Sequence, residues 1–280
     1  MVAFPKSEAQ EVTDRIYAAI EASETNEEVY LGRLGSSSIG GDCLRATWLS
    51  WRAYDSAKFG GRMLRLFGTG HWQEDRIVED LKRAGFQIWE KDHKGEQFQF
   101  VDVTGHFISK MDGVLKGYPG STQTPHVLEI KTHNKSSFSA VVKHGVLKSK
   151  PKHYAQVQSS MMLSGMNRAI YVALCKDDEQ FYVERIKEDK PAQKALSTTI
   201  IKLVEARLKP AGISDEPLTS KLCMFCDVKE VCAGIKPAVR TCRSCRANCA
   251  VENGEWRCEL HDKILSKDEQ RATCASYEVL

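Results

Sequence analysis

Apolar positions recur with two periods along the chain, and the switches between them outline its elements. Helical spacing covers 7–23, where Ser7-x-x-Gln10 has the form of a capping box. A Gly/Ser-rich joint at 32–41 follows, then a helix over 43–54. Gly68-Thr69-Gly70 opens a further helix with Ile77, Val78 and Leu81 on one face, which places His71 and Glu74 in its first turn. Alternation then predicts strands over 86–90, 98–101, 105–109, 110–115 and 127–131. Helices over 137–147 and 154–163, strands over 169–174 and 181–186, and a long helix over 191–208 complete the core. Strands interleaved with helices predict an α/β fold with a mixed central β-sheet flanked by helices.

The most informative phrase is Leu128-Glu129-Ile130-Lys131. As a strand it turns Leu128 and Ile130 to one face and Val127, Glu129 and Lys131 to the other. Lys110-Met111-Asp112-Gly113-Val114-Leu115 reads as its hairpin partner, with Pro119 and Gly120 as turn residues between them. Such a hairpin sets Asp112 beside Glu129 and Lys131. Two carboxylates and an ammonium suit a site that holds Mg²⁺ or Mn²⁺ on oxygen ligands and activates a water, with the Ile130 carbonyl as a further oxygen ligand. On its own the set also describes a solvated strand face. His71 adds a nitrogen ligand, Glu74 a group to orient a ligand or water, and Gln156 an amide suited to a phosphate or a water.

Ten cysteines change the picture. The first ten residues include Lys6 and Glu8 and form no apolar leader, and no apolar run spans a membrane. A cytoplasmic protein with clustered cysteines is expected to use them for metal rather than disulfides. Cys223, Cys226 and Cys232 make a three-thiolate group, and Cys43 supplies the fourth, tying the start of the core to its end. Four thiolates fit a 4Fe–4S cluster or a structural zinc. A second group follows at Cys242-x-x-Cys245, with Cys249, Cys258, His261 and Cys274. Cys242, Cys245, Cys258 and Cys274 make a tetrahedral zinc set, with His261 able to replace Cys274 and Cys249 left over. The organisation expected is a main domain over 1–236 and a small zinc-binding module over 237–280, too short to fold without a staple.

The order His71, Asp112, Glu129-x-Lys131, Gln156, with Cys43 before and Cys223, Cys226 and Cys232 after, resembles the RecB-like branch of the PD-(D/E)xK nucleases. Within it the pattern is similar to the iron–sulfur members, the AddB-type nuclease domains and the CRISPR-adaptation exonucleases. The resemblance spans about residues 35 to 235. It implies that His71, Asp112 and Glu129 bind Mg²⁺ or Mn²⁺, that Lys131 positions or activates the attacking water, that Gln156 fixes the site, and that the first cysteine set holds 4Fe–4S. The family often places a tyrosine a few residues after the glutamine; Met161 and Met162 stand there. The second cysteine group resembles zinc modules appended to phage-encoded nucleases.

Net charge is only +3 and does not by itself announce nucleic acid. Its distribution says more. No Asp or Glu occurs between Ile130 and Lys176, a stretch with Lys131, Lys135, Lys143, Lys148, Lys150, Lys152, Arg168 and Lys176, and with His133, His144 and His153. A basic run beside the candidate site suits a phosphate track. Lys236, Arg240, Arg243 and Arg246 form a smaller basic patch. The expectation is a metal-dependent DNA exonuclease of recombination, repair or phage DNA processing, with DNA and a recombination or replication protein as partners. The alternatives are a structure-specific endonuclease, a non-cutting DNA-binding scaffold and, more remotely, a dithiol redox protein.

Overall fold

The structure, a computed structural model, describes residues 7–23, 29–56 and 58–280. Residues 1–6, part of the stretch read as lacking a leader, lie outside the described residues. Among the described residues no helix is long and apolar enough to cross a membrane.

The core is a mixed five-stranded sheet in the order β2-β5-β6-β7-β8, formed by Gln87–Trp89, Gly113–Lys116, His126–His133, Arg168–Cys175 and Phe181–Lys187. Its centre, β6, pairs antiparallel with β5 and parallel with β7. The predicted β5–β6 hairpin forms. Ser121 donates to the Tyr118 carbonyl at 2.9 Å, and Gly120 takes φ +78° between them. That conformation follows Pro119 as a type II turn requires. The two faces of β6 feed different apolar clusters. Val127 packs with Phe138, Val141, Val157 and Met161, while Leu128 and Ile130 pack with Ile77, Val78 and Ile170. Both faces are therefore covered, as expected of a central strand in an α/β sheet.

The helices follow from this. α4 (Gly61–Arg83) covers the Leu128/Ile130 face, and α5 (Lys135–Ser149) and α6 (Pro151–Ser164) form the β6-to-β7 crossover on the other. The sequence places the start of α4 near Gly68; the helix begins instead at Gly61 and runs unbroken through Gly68 and Gly70. A Cβ at either glycine would meet nothing, so neither is imposed by packing. Two helical glycines cost roughly 1 kcal/mol each against alanine, and the long amphipathic face of α4 carries that. At its start, α1 (Glu8–Ser23) comes so close that a Cβ on Gly61 would lie 2.2 Å from the Tyr17 carbonyl oxygen, and Glu21 accepts from the Gly61 N–H at 2.6 Å. His71 and Glu74 consequently sit mid-helix, not in a first turn.

A second sheet, β1-β4-β3 (Leu34–Gly35, Phe107–Lys110, Gln99–Val101), joins the core to the C-terminal segment. That segment has its own small sheet from β9 (Asn248–Ala250), β10 (Trp256–Cys258) and β11 (Lys263–Ile264), followed by α9 (Lys267–Ala272). Trp256 belongs to the same apolar cluster as Trp48, Leu49, Trp51, Tyr54 and Phe107. Trp48, Leu49 and Trp51 come from α3 (Leu44–Trp51). The backbones close up as well: Gly254 N–H donates to the Thr104 carbonyl at 2.9 Å, and a Cβ on Gly105 would lie 2.3 Å from the Gly254 nitrogen.

Candidate active site

Residues 126–133 form β6 because alternate β-branched and long aliphatic side chains fill both faces of a central strand. Between the buried His126 and His133 at its ends, Glu129 is the carboxylate of that strand, and it is fully buried at 0 % exposure. It pairs with the Lys131 ammonium; among the described residues neither carboxylate oxygen otherwise receives a hydrogen bond. Asp112 lies just beyond the start of β5, opposite Glu129, and its Oδ2 accepts from the Ile130 N–H at 2.7 Å. Lys131 Nζ also donates to the Ile130 carbonyl at 3.1 Å. The carbonyl expected to face a metal is thus occupied by the lysine.

Glu74, from the middle of α4, completes the group. It lines a cavity of about 190 Å³ with Asp112, Ile130, Glu90 and Gln97, and also a larger one of about 600 Å³ with His71, His133, Asn134 and Lys176. Burial raises the pKa of Glu74, and the charge of Asp112 raises it further. Glu129 is pushed up to about 7, by burial first and then by Asp112 and Glu74 against the pull of Lys131. Burial works against the Lys131 ammonium, but Glu129, Asp112 and Glu74 outweigh it and hold its pKa above the usual lysine value. Three carboxylates face one ammonium. That imbalance, and the two bare oxygens of Glu129, fit a hard divalent cation held on oxygen. Among the described residues no three His, Cys, Asp or Glu side chains converge closely enough to hold a metal ion as they stand.

Of the residues singled out in the sequence, Asp112, Glu129 and Lys131 come together, with Glu74 beside them. His71 is exposed and stands on the rim of the larger cavity. Gln156 on α6 lines neither cavity, and its side chain has no hydrogen bond among the described residues. The buried amide nearby is Gln158, which donates to the Lys187 carbonyl and accepts from the Asp189 N–H, both at 2.9 Å. Its role is to tie α6 to the end of β8.

One group escapes sequence reasoning. The Tyr171 hydroxyl, on β7 in register with Glu129, bridges His153 Nδ1 at 2.7 Å and His133 Nε2 at 3.0 Å. His133 Nδ1 continues to Ser137 at 2.9 Å. Burial, then nearby lysines, depress His133 to about 4 and His153 to about 3. Both imidazoles are therefore neutral around pH 7, and a single hydroxyl can donate to one and accept from the other. The available signal was a tyrosine among aliphatics on a strand buried on both faces, whose hydroxyl needs partners.

None of the ten cysteines, all among the described residues, is in a disulfide. Cys43, Cys223, Cys226 and Cys232 line one tight cavity of about 30 Å³. Burial raises the Cys226 thiol, followed by the other three sulfurs, and Arg45 donates to Cys232 Sγ at 3.8 Å. Cys242, Cys245, Cys258 and Cys274 line a cavity of about 480 Å³ with His261. Burial, then its three companion cysteines, push Cys242 up to about 11. Cys249 faces elsewhere, its Sγ donating to the Arg257 carbonyl at 3.7 Å. Among the described residues each set gathers four soft thiol donors along one cavity, without the close convergence of a formed metal centre.

The basic residues sort differently from their order in the chain. Lys236 pairs with Asp55 and Arg246 with Glu278, while Arg240 donates to Thr273 and to the Cys274 carbonyl. Arg243 is buried, at 4 % exposure, and donates to the carbonyls of Leu31, Gly32 and Trp51. The small basic patch expected around the knuckle is therefore spent on internal contacts. Within the longer stretch, Lys143 and Lys148 are exposed and Lys135 pairs with Asp178.

No family model matches the chain, and no curated protein matches it. Among solved structures, an alkaline exonuclease (LHK-Exo) from Laribacter hongkongensis aligns with 18 % identity and a TM-score of 0.44, over 68 % of this chain and 90 % of that one. The same enzyme in complex with dAMP aligns equally. SSO0001 aligns with 14 % identity and a TM-score of 0.42, over 81 % of this chain and 96 % of its own. These likenesses are loose, and the reading of the site rests on its own residues.

Proposed function

We propose that the chain is a divalent-metal-dependent nuclease that hydrolyses phosphodiester bonds of DNA from strand ends. The observation that carries this reading is the buried Glu129 carboxylate, bare but for Lys131 and flanked by Asp112 and Glu74. Glu74, Asp112 and Glu129 would hold Mg²⁺ or Mn²⁺, with His71 at the rim. A bound divalent ion supplies a water of lowered pKa and neutralises charge on the scissile phosphate. The chain's own residues do the rest. The Ile130 N–H fixes the Asp112 carboxylate. Lys131, kept charged by its acidic neighbours, would stabilise the negative charge that grows on the phosphoryl oxygens. The larger cavity, lined by Leu66, Phe67, His71 and Lys176, offers a strand an approach to Glu74.

In this reading Cys43, Cys223, Cys226 and Cys232 hold a structural 4Fe–4S cluster, with zinc as the alternative. Cys242, Cys245, Cys258 and Cys274 hold zinc. Neither centre touches the reacting atoms. DNA processing in recombination, repair or phage replication is the setting that suits this chemistry.

The test is cleavage of linear, circular and single-stranded DNA in parallel, with Mg²⁺, Mn²⁺ or chelator, using the wild type and Glu129→Ala. Metal-dependent loss of linear but not circular DNA, absent in the variant, is the expected result. Cutting of circular DNA would make the same site an endonuclease. DNA binding without cleavage under any metal would leave a scaffold on a nuclease-like fold.

A further inference from the structure

A cavity of about 290 Å³ lies where the C-terminal segment meets β1, β3 and β4. Arg33, Lys110, Arg243 and Lys267 line it with His106 and Trp256, and among the described residues its lining contains no Asp or Glu. This departs from the rest of the segment. There Arg257 pairs with Asp262 and Lys263 with Glu269, besides the pairs of Lys236 and Arg246. Among the described residues the side chains of Lys110 and Lys267 make no hydrogen bond or ion pair, and Arg33 spends only Nε, on the Gly105 carbonyl at 2.7 Å.

The floor is aromatic. Trp256 is 1 % exposed and its indole N–H has no acceptor among the described residues. The Trp48 and Trp51 indoles of the same cluster are alike in this, so Trp256 supplies a sealed aromatic floor and not a donor. The Arg243 guanidinium lies over the Trp256 ring, 4.6 Å from its centroid, and gives its own donors to backbone carbonyls and Gln270. It contributes positive charge to the floor without needing the ligand. His106 donates Nε2–H to the Val251 carbonyl at 2.7 Å, which leaves Nδ1 an acceptor with no proton to offer an anion, so the donors are those of Arg33, Lys110 and Lys267.

Free donors, fixed positive charge and no competing carboxylate describe an oxyanion site. We propose that this cavity binds a phosphate group, and that its occupant is the backbone of a DNA strand. Position favours the strand over a free ion: Lys110 lies two residues before Asp112, a chain distance of at most about 7 Å. A strand engaged at the carboxylates could therefore reach the cavity within a few nucleotides. The choice of DNA rests on the nuclease reading; the phosphate chemistry does not.

The test is performed in chelator, without cleavage, so that loss of the nuclease reading would leave it standing. Binding of a fluorescent single-stranded oligonucleotide is measured by anisotropy across a salt series. The proteins are the wild type, Lys110→Glu/Lys267→Glu, and Lys94→Glu/Lys194→Glu as a charge-matched control, each checked by thermal melting. The cavity variant should bind about tenfold more weakly at moderate salt. Its slope of log affinity against log salt should fall by about 0.7 for each phosphate it no longer neutralises. The control should change less in both respects. Calorimetry with inorganic phosphate forms the second arm. If orthophosphate binds the wild type and not the cavity variant while oligonucleotide affinity matches the control, the phosphate site stands and a free phosphate is its occupant. If the cavity variant matches the control with the oligonucleotide and orthophosphate binds neither protein, the proposal is overturned.

Discussion

Glu129 and Arg243 are both ionisable side chains sealed inside the protein, and they are treated in opposite ways. Arg243 is given the Leu31, Gly32 and Trp51 carbonyls, the Gln270 side chain and the face of Trp256. Among the described residues Glu129 is given one ion pair and no other hydrogen-bond donor. A buried charge whose bonding capacity is saturated holds structure together. One left bare costs stability and persists where a reaction or a ligand uses it. Burial pulls Arg243 down to about 9 and pushes Glu129 up to about 7. Around pH 7 the arginine therefore keeps its charge, while the carboxylate is poised between its two forms.

The largest expected effect comes from breaking the saturated charge. Arg243→Met leaves three carbonyls and Gln270 without their donor and should cost about 3–5 kcal/mol, read as a large fall in melting temperature. Glu129→Gln should do the reverse of damage to the fold while removing about 10²–10³-fold of cleavage. Its stability effect has a definite pH dependence. The folded pKa of Glu129, about 7, lies above its ordinary 4.5, so its contribution to folding is full below about 4.5 and is lost as pH rises through about 7. Glu129→Gln should therefore melt higher than the wild type at pH 8 without added divalent metal, by about 1–3 kcal/mol, and the gap should close at pH 5. A lower melting temperature at pH 8 would show that Glu129 is structural after all.

Smaller effects sharpen the contrast. His71→Ala should lose about tenfold in activity, recovered in part by raising Mn²⁺, because His71 is an exposed rim group. No response to metal would place it outside the metal's reach. Tyr171→Phe strips both imidazoles of a shared partner and should cost about 1–2 kcal/mol. Unchanged melting would mean that water replaces the hydroxyl at no cost.

What could be read from the chain follows the same division. The alternation of β6, the Pro119–Gly120 turn and the hairpin that sets Asp112 opposite Glu129 depend on neighbours within some twenty residues, and these were legible; the Asp112 bond to the Ile130 N–H was not. The start of α4 was hidden because Gly68 and Gly70 look like breakers, whereas the tight contact at Gly61 that marks the true start involves Tyr17 on a distant helix. Arg243 looked like a surface cation because its carbonyl partners lie around residues 31 and 51. Tyr171 was invisible in an aliphatic strand until β7 was set in register beside Glu129. Local periodicity locates strands, but whether a polar group inside one is saturated is decided by residues far away in sequence.

The central question is whether Glu129 anchors a divalent cation. The decisive measurement is the melting temperature of the wild type and Glu129→Gln at pH 8 as Mn²⁺ is titrated, since a ligand that binds only the folded state raises stability with its concentration. A metal anchored on Glu129 gives a rising melting temperature for the wild type and a flat response for Glu129→Gln. Equal stabilisation of both proteins, or of neither, would contradict it.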